Sequence, residues 1–461
     1  MNEFGVIGLG VMGRSISLNL LDNGFSLSVY NRQEEKDLVE AFVSMNSNSY
    51  SFSAFTDLRE FVNSLSAPRK ILIMIKAGPG IDGLIGELSE YLSSGDIIID
   101  GGNSFYKDTA RRDLELKAKG LNYIGSGVSG GEKGARFGPS IMPGGDKKAY
   151  ELVSKYLTAI AAEDGHGGSC CSYIGPSGSG HFVKMIHNGI EYGEMQLIAE
   201  LYDLLRRGFS NEEIAGIFES WSKDGMSSYL LDISIEILRY KEDDVYLIDK
   251  ILDKAGNKGT GSWSTISALE YGLANTMMSS ATFARYVSAF KNLRTELSRD
   301  TSLSKLEIKT VDLEALKRMY YFSSIINHHQ GFEIMKEASK VHNWNLDLSD
   351  ISRVWSNGCI IRSQFINKCH SYFKAGDNLL KNAEIFSILE EAIPACKSML
   401  ARYIEFEVPS PCFYSAFNYF ISITQSDLPA NMIQAQRDYF GAHTYQLKGD
   451  DSGRFYHTEW D

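Results

Sequence analysis

The stretch FGVIGLGVMGRSISLNLL, residues 4–21, decides the fold of the first part of this chain. Its run Phe4 to Ile7 predicts a buried strand, and a helical spacing of apolar residues follows directly. Between them, Gly8, Gly10 and Gly13 form G-x-G-x-x-G, in which glycine permits a tight turn and lets a pyrophosphate approach backbone N–H groups at the start of a helix. The pattern alone is weak evidence, but its place between a strand and a helix indicates a dinucleotide site.

The second predicted strand, Leu27 to Tyr30, ends in Asn31, Arg32 and Gln33. NAD-specific sites carry an acidic residue near this position, which binds the ribose 2′-hydroxyl. Arg32 instead offers a fixed cation to a 2′-phosphate, so the sequence favours NADP over NAD. The alternative is an exposed loop arginine with no role in binding.

Two further apolar runs, Ile71 to Ile75 and Asp96 to Asp100, predict strands that are buried on both faces. They alternate with helical patterns, which is typical of a parallel, doubly wound α/β sheet. The polar loops that follow them, Lys76 to Gly78 and Gly101 to Ser104, would lie at the carboxyl ends of the strands, where such sheets bind ligands. The glycine-rich segment from Ser126 to Gly145 suits a backbone folded around a small anion, although a set of tight turns also explains it.

The stretch HFVKMIHNGIEYG, His181 to Gly193, spaces Lys184, His187, Asn188 and Glu191 by three and four residues, so that all four share one face of a helix. A lysine acts as a base only where burial or neighbouring positive charge stabilises the neutral amine. The row therefore predicts an acid–base site. The alternative is a solvated helix face with a Lys/Glu pair.

Length and composition bound the class of protein. A chain of 461 residues exceeds what one core usually holds, and a formal net charge of −12 argues against a nucleic-acid partner. No apolar stretch reaches membrane-spanning length and the start MNEFGVIG has no leader pattern, so we expect a cytoplasmic protein. The six cysteines, with Cys170 and Cys171 adjacent, match neither a disulfide framework nor a zinc site, and we interpret His328-His329 as packed or surface residues.

Helical periodicity replaces the strand signals beyond Gly180, so we expect a largely α-helical second domain. A break at Gly175 to Gly178 predicts the boundary. The expected division is a Rossmann-like NADP-binding domain over residues 1–177, a helical catalytic domain over 178–434 and a C-terminal tail over 435–461. The tail has little core of its own and needs another surface to pack against, the alternative being a loosely ordered terminus.

Long motifs along nearly the whole chain resemble those of the 6-phosphogluconate dehydrogenases. The matching segments are GLGVMG at Gly8, DIIIDGGNS at Asp96, GSGVSGGEKGAR at Gly125, GPSIMPGG at Gly138, GHFVKMIHNGIEYG at Gly180, NKGTG at Asn257, GCIIR at Gly358 and QAQRDYFGAHTY at Gln434. The resemblance implies a helical domain that forms most of a homodimer interface. It also implies NADP-dependent oxidative decarboxylation of 6-phosphogluconate to ribulose 5-phosphate.

The resemblance further implies that Lys184 is the general base and Glu191 the general acid. The nucleotide would lie on Gly8, Leu9, Gly10, Val11, Met12, Gly13, Asn31, Arg32, Gln33, Ile75, Lys76, Ala77 and Asn103. The sugar acid and its phosphate would contact Asn103, Ser129, Gly130, Gly131, His187, Asn188, Tyr192, Lys258 and Arg285, with Arg437 and His443 supplied by the partner subunit. One departure is Ser262, which stands where the resemblance leads us to expect a lysine.

In the mechanism that these roles imply, neutral Lys184 takes the proton of the C3 hydroxyl during hydride transfer, and Glu191 protonates the enediol that remains after loss of CO2. No metal is required. Two other classes of function stay open. A dehydrogenase of another 3-hydroxy acid leaves the expected phosphate cations Lys258, Arg285 and Arg437 without a purpose, and a non-catalytic nucleotide-binding protein leaves the row from Lys184 to Glu191 unexplained.

Overall fold

The computed structural model describes residues 1–165, 167–256, 259–299 and 308–460. Its first part contains the strands β1 (Phe4–Ile7), β2 (Leu27–Tyr30), β3 (Phe52–Phe55), β4 (Lys70–Ile73), β5 (Ile97–Asp100), β6 (Asn122–Ser129) and β7 (Ser140–Gly145). They form one sheet in the order β3-β2-β1-β4-β5-β6-β7. The strands β1 to β6 pair in parallel, and β7 runs antiparallel to β6. The predicted doubly wound sheet is confirmed, with one antiparallel strand at its edge.

Helices cover both faces of this sheet. They are α1 (Val11–Asp22), α2 (Lys36–Asn46), α3 (Leu58–Asn63), α4 (Pro79–Ser89), α5 (Tyr106–Lys117), α6 (Gly131–Phe137) and α7 (Lys147–Ile160). The strand β5 shows why an unbroken apolar run was the correct signal, because Ile97 and Ile99 join the core on one face and Ile98 joins the core on the other.

The strand order reverses at β1, whose neighbours are β2 on one side and β4 on the other. Ligands of doubly wound sheets bind at the carboxyl ends of the strands where this reversal occurs. The glycine loop after β1 and the loop after β4 meet there, since a Cβ atom added to Gly8 would lie 2.6 Å from the carbonyl oxygen of Met74.

The segment from Ser126 to Gly145 is not a set of tight turns, whereas the interpretation that its backbone folds around a small anion stays a prediction. It contains the end of β6, the helix α6 and the strand β7. Most of its glycines are needed for close packing: a Cβ atom at Gly127 would lie 2.3 Å from Cβ of Lys184, and one at Gly144 would lie 2.4 Å from the nitrogen of Gly180.

The second part is helical, as predicted. Its helices are α8 (Ser179–Leu205), α9 (Asn211–Trp221), α10 (Tyr229–Arg239), α11 (Leu247–Lys250), α12 (Thr260–Glu270), α13 (Thr276–Ala289), α14 (Lys291–Glu296), α15 (Leu313–His342), α16 (Leu348–Val354), α17 (Gln364–Ala375), α18 (Ala383–Glu405), α19 (Pro411–Ile423) and α20 (Ala430–Gly441). A two-stranded hairpin joins Lys241–Glu242 to Val245–Tyr246. None of the helices in the described ranges has the length and apolar character that a membrane span requires.

The long helices α8 and α15 cross closely and form the centre of the helical part. A Cβ atom at Gly193 would lie 2.3 Å from Oδ1 of Asn327, so only glycine allows this approach. His328 and His329 of α15 are packed, at 1% and 2% exposure. The six cysteines are free and buried, as expected for reduced thiols.

Candidate active site

The predicted row of polar side chains lies on α8, and most of it is buried. Lys184, His187 and Asn188 are 6%, 0% and 9% exposed. The side chain of Glu191 keeps 21% of its accessible surface, so it is the member of the row that is open to solvent. The alternative of a solvated helix face is therefore wrong.

Lys184 is buried because the start of α8 presses against β6 and β7. Besides the contact at Gly127, a Cβ atom at Gly180 would lie 2.3 Å from the carbonyl oxygen of Met142 and 2.4 Å from that of Gly125. Burial disfavours the ammonium form and lowers the pKa of Lys184 from 10.5 to about 8, although the nearby carboxylate of Glu191 acts in the opposite direction. A substantial fraction of the lysine is therefore neutral at slightly alkaline pH.

His187 connects the members of the row. Its Nδ1 lies 3.3 Å from Nζ of Lys184 and 3.2 Å from Oδ1 of Asn188, and its Nε2 lies 3.2 Å from Oγ of Ser129. Burial, with the charge of Lys184, holds the pKa of His187 well below its usual range, so the ring is neutral. A neutral ring carries a single N–H, which allows Nδ1 either to accept from Lys184 or to donate to Asn188.

Glu191, Tyr192 and Arg285 lie at the open end of the row. Oε2 of Glu191 is 3.8 Å from Nδ1 of His187. The guanidinium of Arg285, from α13, lies 3.5 Å from the centre of the Tyr192 ring and donates to the carbonyl oxygen of Gly256 at 3.1 Å. A cation therefore stands beside the predicted acid–base row, where it can bind an anionic group.

The turn between β6 and α6 carries the predicted Ser129, Gly130 and Gly131. Ser129 is buried at the end of β6, and the two glycines have φ values of +130° and +62°. A Cβ atom at Gly130 would lie 2.6 Å from the carbonyl oxygen of Gly358. The turn therefore requires glycine at position 130, and it keeps Ser129 close to the buried His187.

The nucleotide loop fits a pyrophosphate. A Cβ atom at Gly13 would lie 1.8 Å from the carbonyl oxygen of Gly8, so the turn is as tight as the motif predicts. Nothing lies within 4 Å of the Cβ position of Gly10, and no side chain caps the N-terminus of α1. The first N–H groups of α1 therefore face an open space, as an anion-binding helix end requires.

Arg32 follows β2 as predicted, but it has a partner that the sequence interpretation missed. Its side chain is 65% exposed, and its Nη2 lies 2.5 Å from Oε1 of Glu35. Glu35 was not noticed because it lies three residues further on, in a short 3₁₀ turn from Gln33 to Glu35. An incoming 2′-phosphate would have to compete with this carboxylate, while Asn31 beside it is buried.

The loops after β4 and β5 lie next to the start of α8. Ile75, Lys76 and Ala77 belong to the first loop, and Asn103 to the second. A narrow cavity lies between the second loop and α8. Its lining residues are Asn103, Ser104, His181, Lys184, Met185, Asn188 and Trp263. The loop predicted to contact both ligands is therefore adjacent to the predicted base.

Four residues of this cavity were not identified as site residues from the sequence: Ser104, His181, Met185 and Trp263. His181 is 1% exposed, and its Nδ1 lies 2.7 Å from Oγ1 of Thr109. Its position three residues before Lys184 was the available signal, because that spacing places it on the same face of α8. Trp263 comes from α12, and no pattern in the sequence relates it to α8.

The predicted residues of the tail are on the surface of the described structure. Arg437 and His443 are exposed, and Nη1 of Arg437 donates to Gln434 within α20. Met432 and Phe440 of α20 are also exposed, at 62% and 71%. Among the described residues, neither Arg437 nor His443 makes a hydrogen bond or ion pair with α8.

Asp438 organises the tail. It is fully buried, and its carboxylate accepts hydrogen bonds from Thr444 N, His457 Nδ1, Thr458 N and Trp460 Nε1, at 2.9 to 3.1 Å. The last residues are thereby folded back against α20. The sequence interpretation did not single out this residue.

One predicted site residue, Lys258, lies outside the described residues. Ser262 lies on α12, at the position where the resemblance leads us to expect a lysine. Its hydroxyl lies 2.6 Å from the hydroxyl of Tyr286, so this position is part of a neutral hydrogen bond between α12 and α13.

Comparisons with known proteins cover both parts of the chain. Residues 3–175 match the NAD binding domain of 6-phosphogluconate dehydrogenase, and residues 180–460 match the C-terminal domain of 6-phosphogluconate dehydrogenase. The decarboxylating 6-phosphogluconate dehydrogenases of Salmonella typhimurium and Escherichia coli are 46% and 45% identical, over 99% of this chain and 99% of theirs. The solved 6-phosphogluconate dehydrogenase of Plasmodium falciparum is similar with a TM-score of 0.93 and 37% identity, over 99% of this chain and all of that one.

Replacing Lys184 with methionine should change how the free energy of unfolding depends on pH. The pKa of Lys184 is lowered in the folded state, so the unfolded state binds more protons and the stability of the wild type should rise with pH between about 8 and 10.5. The Lys184→Met variant lacks this contribution. The free energy of unfolding of the variant, relative to that of the wild type, should therefore fall by about 2 kcal/mol between pH 7 and pH 9.5. Urea unfolding at both pH values measures this difference.

The exposed Lys119 provides a control. The Lys119→Met variant should follow the wild-type pH dependence. Parallel curves for the wild type and Lys184→Met would show that the buried amine does not titrate in this range.

Proposed function

The chain belongs to the 6-phosphogluconate dehydrogenase family, and we propose that it oxidises 6-phospho-D-gluconate with NADP and releases D-ribulose 5-phosphate and CO2. The observation that carries the proposal is the buried Lys184, whose pKa of about 8 suits a base near neutral pH. The family match spans both the nucleotide loop and this helix.

NADP would lie over the glycine loop of residues 8–13, with Asn31, Arg32 and Gln33 at its 2′-phosphate. The tight turn at Gly13 and the open N-terminus of α1 fit its pyrophosphate. Ile75, Lys76, Ala77 and Asn103 would flank the nicotinamide end. When bound, NADP supplies the acceptor for the hydride that leaves C3 of the sugar acid.

Lys184 is proposed as the general base. As the neutral amine, it takes the proton of the C3 hydroxyl while C3 is oxidised to a ketone. The resulting ammonium then donates to the C3 oxygen as the bond to the carboxylate breaks and CO2 leaves. The electron pair of the broken bond becomes the carbon–carbon double bond of an enediol, which is protonated in the last step.

Glu191 is proposed as the general acid of the last step. It gives a proton to the carbon that carried the carboxylate, while Lys184 takes back the proton of the C3 oxygen as the product ketone forms. Its position at the open end of the row, 3.8 Å from His187, suits a group that must regain its proton afterwards. His187 and Asn188 would orient the substrate hydroxyls between the two.

We propose that no metal takes part, because the ammonium of Lys184 supplies the positive charge that the developing enolate oxygen needs. The substrate phosphate would be bound by Arg285 together with Lys258, Arg437 and His443. Ser129, Gly130, Gly131 and Tyr192 would complete the site. The local cations offset the overall charge of −12, which would otherwise repel an anionic substrate.

Arg437 and His443 are proposed to act across a homodimer interface. The exposed apolar side chains of α20 support this, because large apolar groups on a short arm mark an interaction surface. We retain the division into residues 1–177, 178–434 and 435–461 as a proposal, with the last segment as the arm that reaches the partner.

An absorbance assay tests the function. Purified protein, 6-phosphogluconate and NADP, with a metal chelator present, should give an increase in reduced nicotinamide. Unphosphorylated gluconate should react far more slowly, because the phosphate cations would have no partner. Lys184→Ala should reduce turnover by about 10²- to 10⁴-fold, the typical contribution of a positioned acid–base group.

The other outcomes discriminate among the alternatives. Reaction with another 3-hydroxy acid in preference to 6-phosphogluconate would identify a related dehydrogenase. Binding of NADP without turnover of either would identify a nucleotide-binding protein. Activity that disappears with the chelator would contradict the metal-independent mechanism.

Reversing the charge of Arg32 tests the coenzyme preference. Arg32→Glu should weaken NADP binding by at least about tenfold and leave NAD binding nearly unchanged, because a charge-assisted hydrogen bond to the 2′-phosphate is lost. Glu35→Gln is the matched opposite change, and it should strengthen NADP binding by freeing Arg32. Titrations of each variant with NADP and with NAD measure the two dissociation constants. Equal effects on NADP and NAD binding would contradict the assignment.

Mixed dimers test whether the arm acts in the partner. Lys184→Ala and His443→Ala subunits should each be nearly inactive alone. If His443 serves the neighbouring site, a mixed dimer regains one intact site, and random mixing should restore about a quarter of wild-type activity. No gain on coexpression would place His443 in the site of its own chain.

A further inference from the structure

Arg112 of α5 is a buried arginine that the proposed mechanism does not use. Its side chain is 2% exposed. Nε and Nη2 donate to the two carboxylate oxygens of Asp82 at 2.9 and 2.8 Å, in the bidentate geometry that gives a guanidinium its strongest contact. Asp82 lies in the first turn of α4, directly after the loop that follows β4.

The same guanidinium contacts both ligand loops. Nη2 donates to the carbonyl oxygen of Gly78 at 3.3 Å, at the end of the loop that carries Ile75 to Ala77. Nη1 lies 3.5 Å from Oγ of Ser104 and 3.5 Å from Oδ2 of Asp100, which border the loop that carries Asn103. One planar group therefore touches the loop assigned to the coenzyme alone and borders the loop whose Asn103 is assigned to both ligands.

Asp100 connects the second loop to Arg112. It is fully buried, and its carboxylate accepts hydrogen bonds from Gly102 N at 3.0 Å, Ser104 Oγ at 2.6 Å and Tyr123 OH at 2.8 Å. Asn103 lies between two of these anchored residues. A change in the position of Arg112 would therefore be transmitted to Asn103 through Asp100 and Ser104.

We propose that Arg112 is a positioning residue that couples the two ligand loops, so that coenzyme and sugar acid strengthen each other's binding. The inference rests on the proposed function, since it takes residues 75–77 and Asn103 as ligand contacts. When a ligand orders one of the loops, that loop holds the guanidinium of Arg112 in place. The guanidinium then holds the other loop in its binding position. Arg112 itself touches neither ligand.

A neighbouring arginine provides the matched control. Arg111 also binds Asp82, through Nη2 at 2.8 Å, but it is 44% exposed and its other ion pair is with Glu115 on α5. It donates to neither Gly78 nor Ser104 among its described contacts. Removing Arg111 therefore perturbs the same carboxylate without breaking the link between the loops.

The experiment compares NADPH binding, by its fluorescence, with and without saturating 6-phosphogluconate. This pair does not turn over, because NADPH cannot accept a hydride. In the wild type the sugar acid should tighten NADPH binding by at least about fivefold, the lower end of typical couplings between sites. In Arg112→Met this factor should fall to within about twofold of unity, while Arg111→Gln should keep the wild-type factor.

Turnover provides a second readout. The kcat of Arg112→Met should fall by about 10²-fold, because small displacements of reacting groups have effects of this size, whereas the dissociation constants of the separate ligands should change much less. Asp82→Asn keeps the shape of the partner, so it tests the same link if Arg112→Met does not fold. It should show an intermediate loss of coupling.

The outcomes separate this inference from the proposed function. A wild-type protein without 6-phosphogluconate turnover would overturn both. An active wild type whose coupling factor is unity, or is unchanged in both Arg112→Met and Asp82→Asn, would overturn the coupling role alone. A variant with lower stability but normal coupling would make Arg112 a structural residue.

Discussion

The site depends on the close approach of α8 to the sheet. Glycine at positions 127, 144 and 180 removes the side chains that would otherwise hold the helix away from β6 and β7. This contact excludes water from Lys184, and the exclusion of water is the main cause of its lowered pKa. The lowered pKa that the proposed base needs is thus a result of packing, because an exposed lysine at this position would remain protonated.

The parts of the fold that follow from local patterns could be predicted from the sequence. The strands β1 and β2 have the predicted bounds, and the chain beyond Gly180 is largely helical, as its periodicity predicts. These elements have short-range signals, such as an unbroken apolar run or a helical period. The row on α8 could be predicted for the same reason, since spacing alone places its four side chains on one face.

What could not be predicted depends on contacts between distant segments. The glycines between Ser126 and Gly145 suggested a backbone folded around a small anion or a set of tight turns, but Gly127 and Gly144 accommodate a helix that begins more than thirty residues later. Glu35, Trp263 and Asp438 were missed because their importance arises from a neighbour that the fold supplies. A buried polar network such as that of Asp100 cannot be recognised from the amino-acid composition, because none of its members is unusual by itself.

The buried Asp438 also has a consequence for the thermodynamics of assembly. An unstructured arm would lose backbone freedom on association, at about 1–2 kcal/mol for each residue that becomes fixed. Here four hydrogen bonds to one carboxylate already order the arm before it meets any surface. In the proposed dimer the arm would associate as a preorganised element, and more of its contact energy would remain available as affinity.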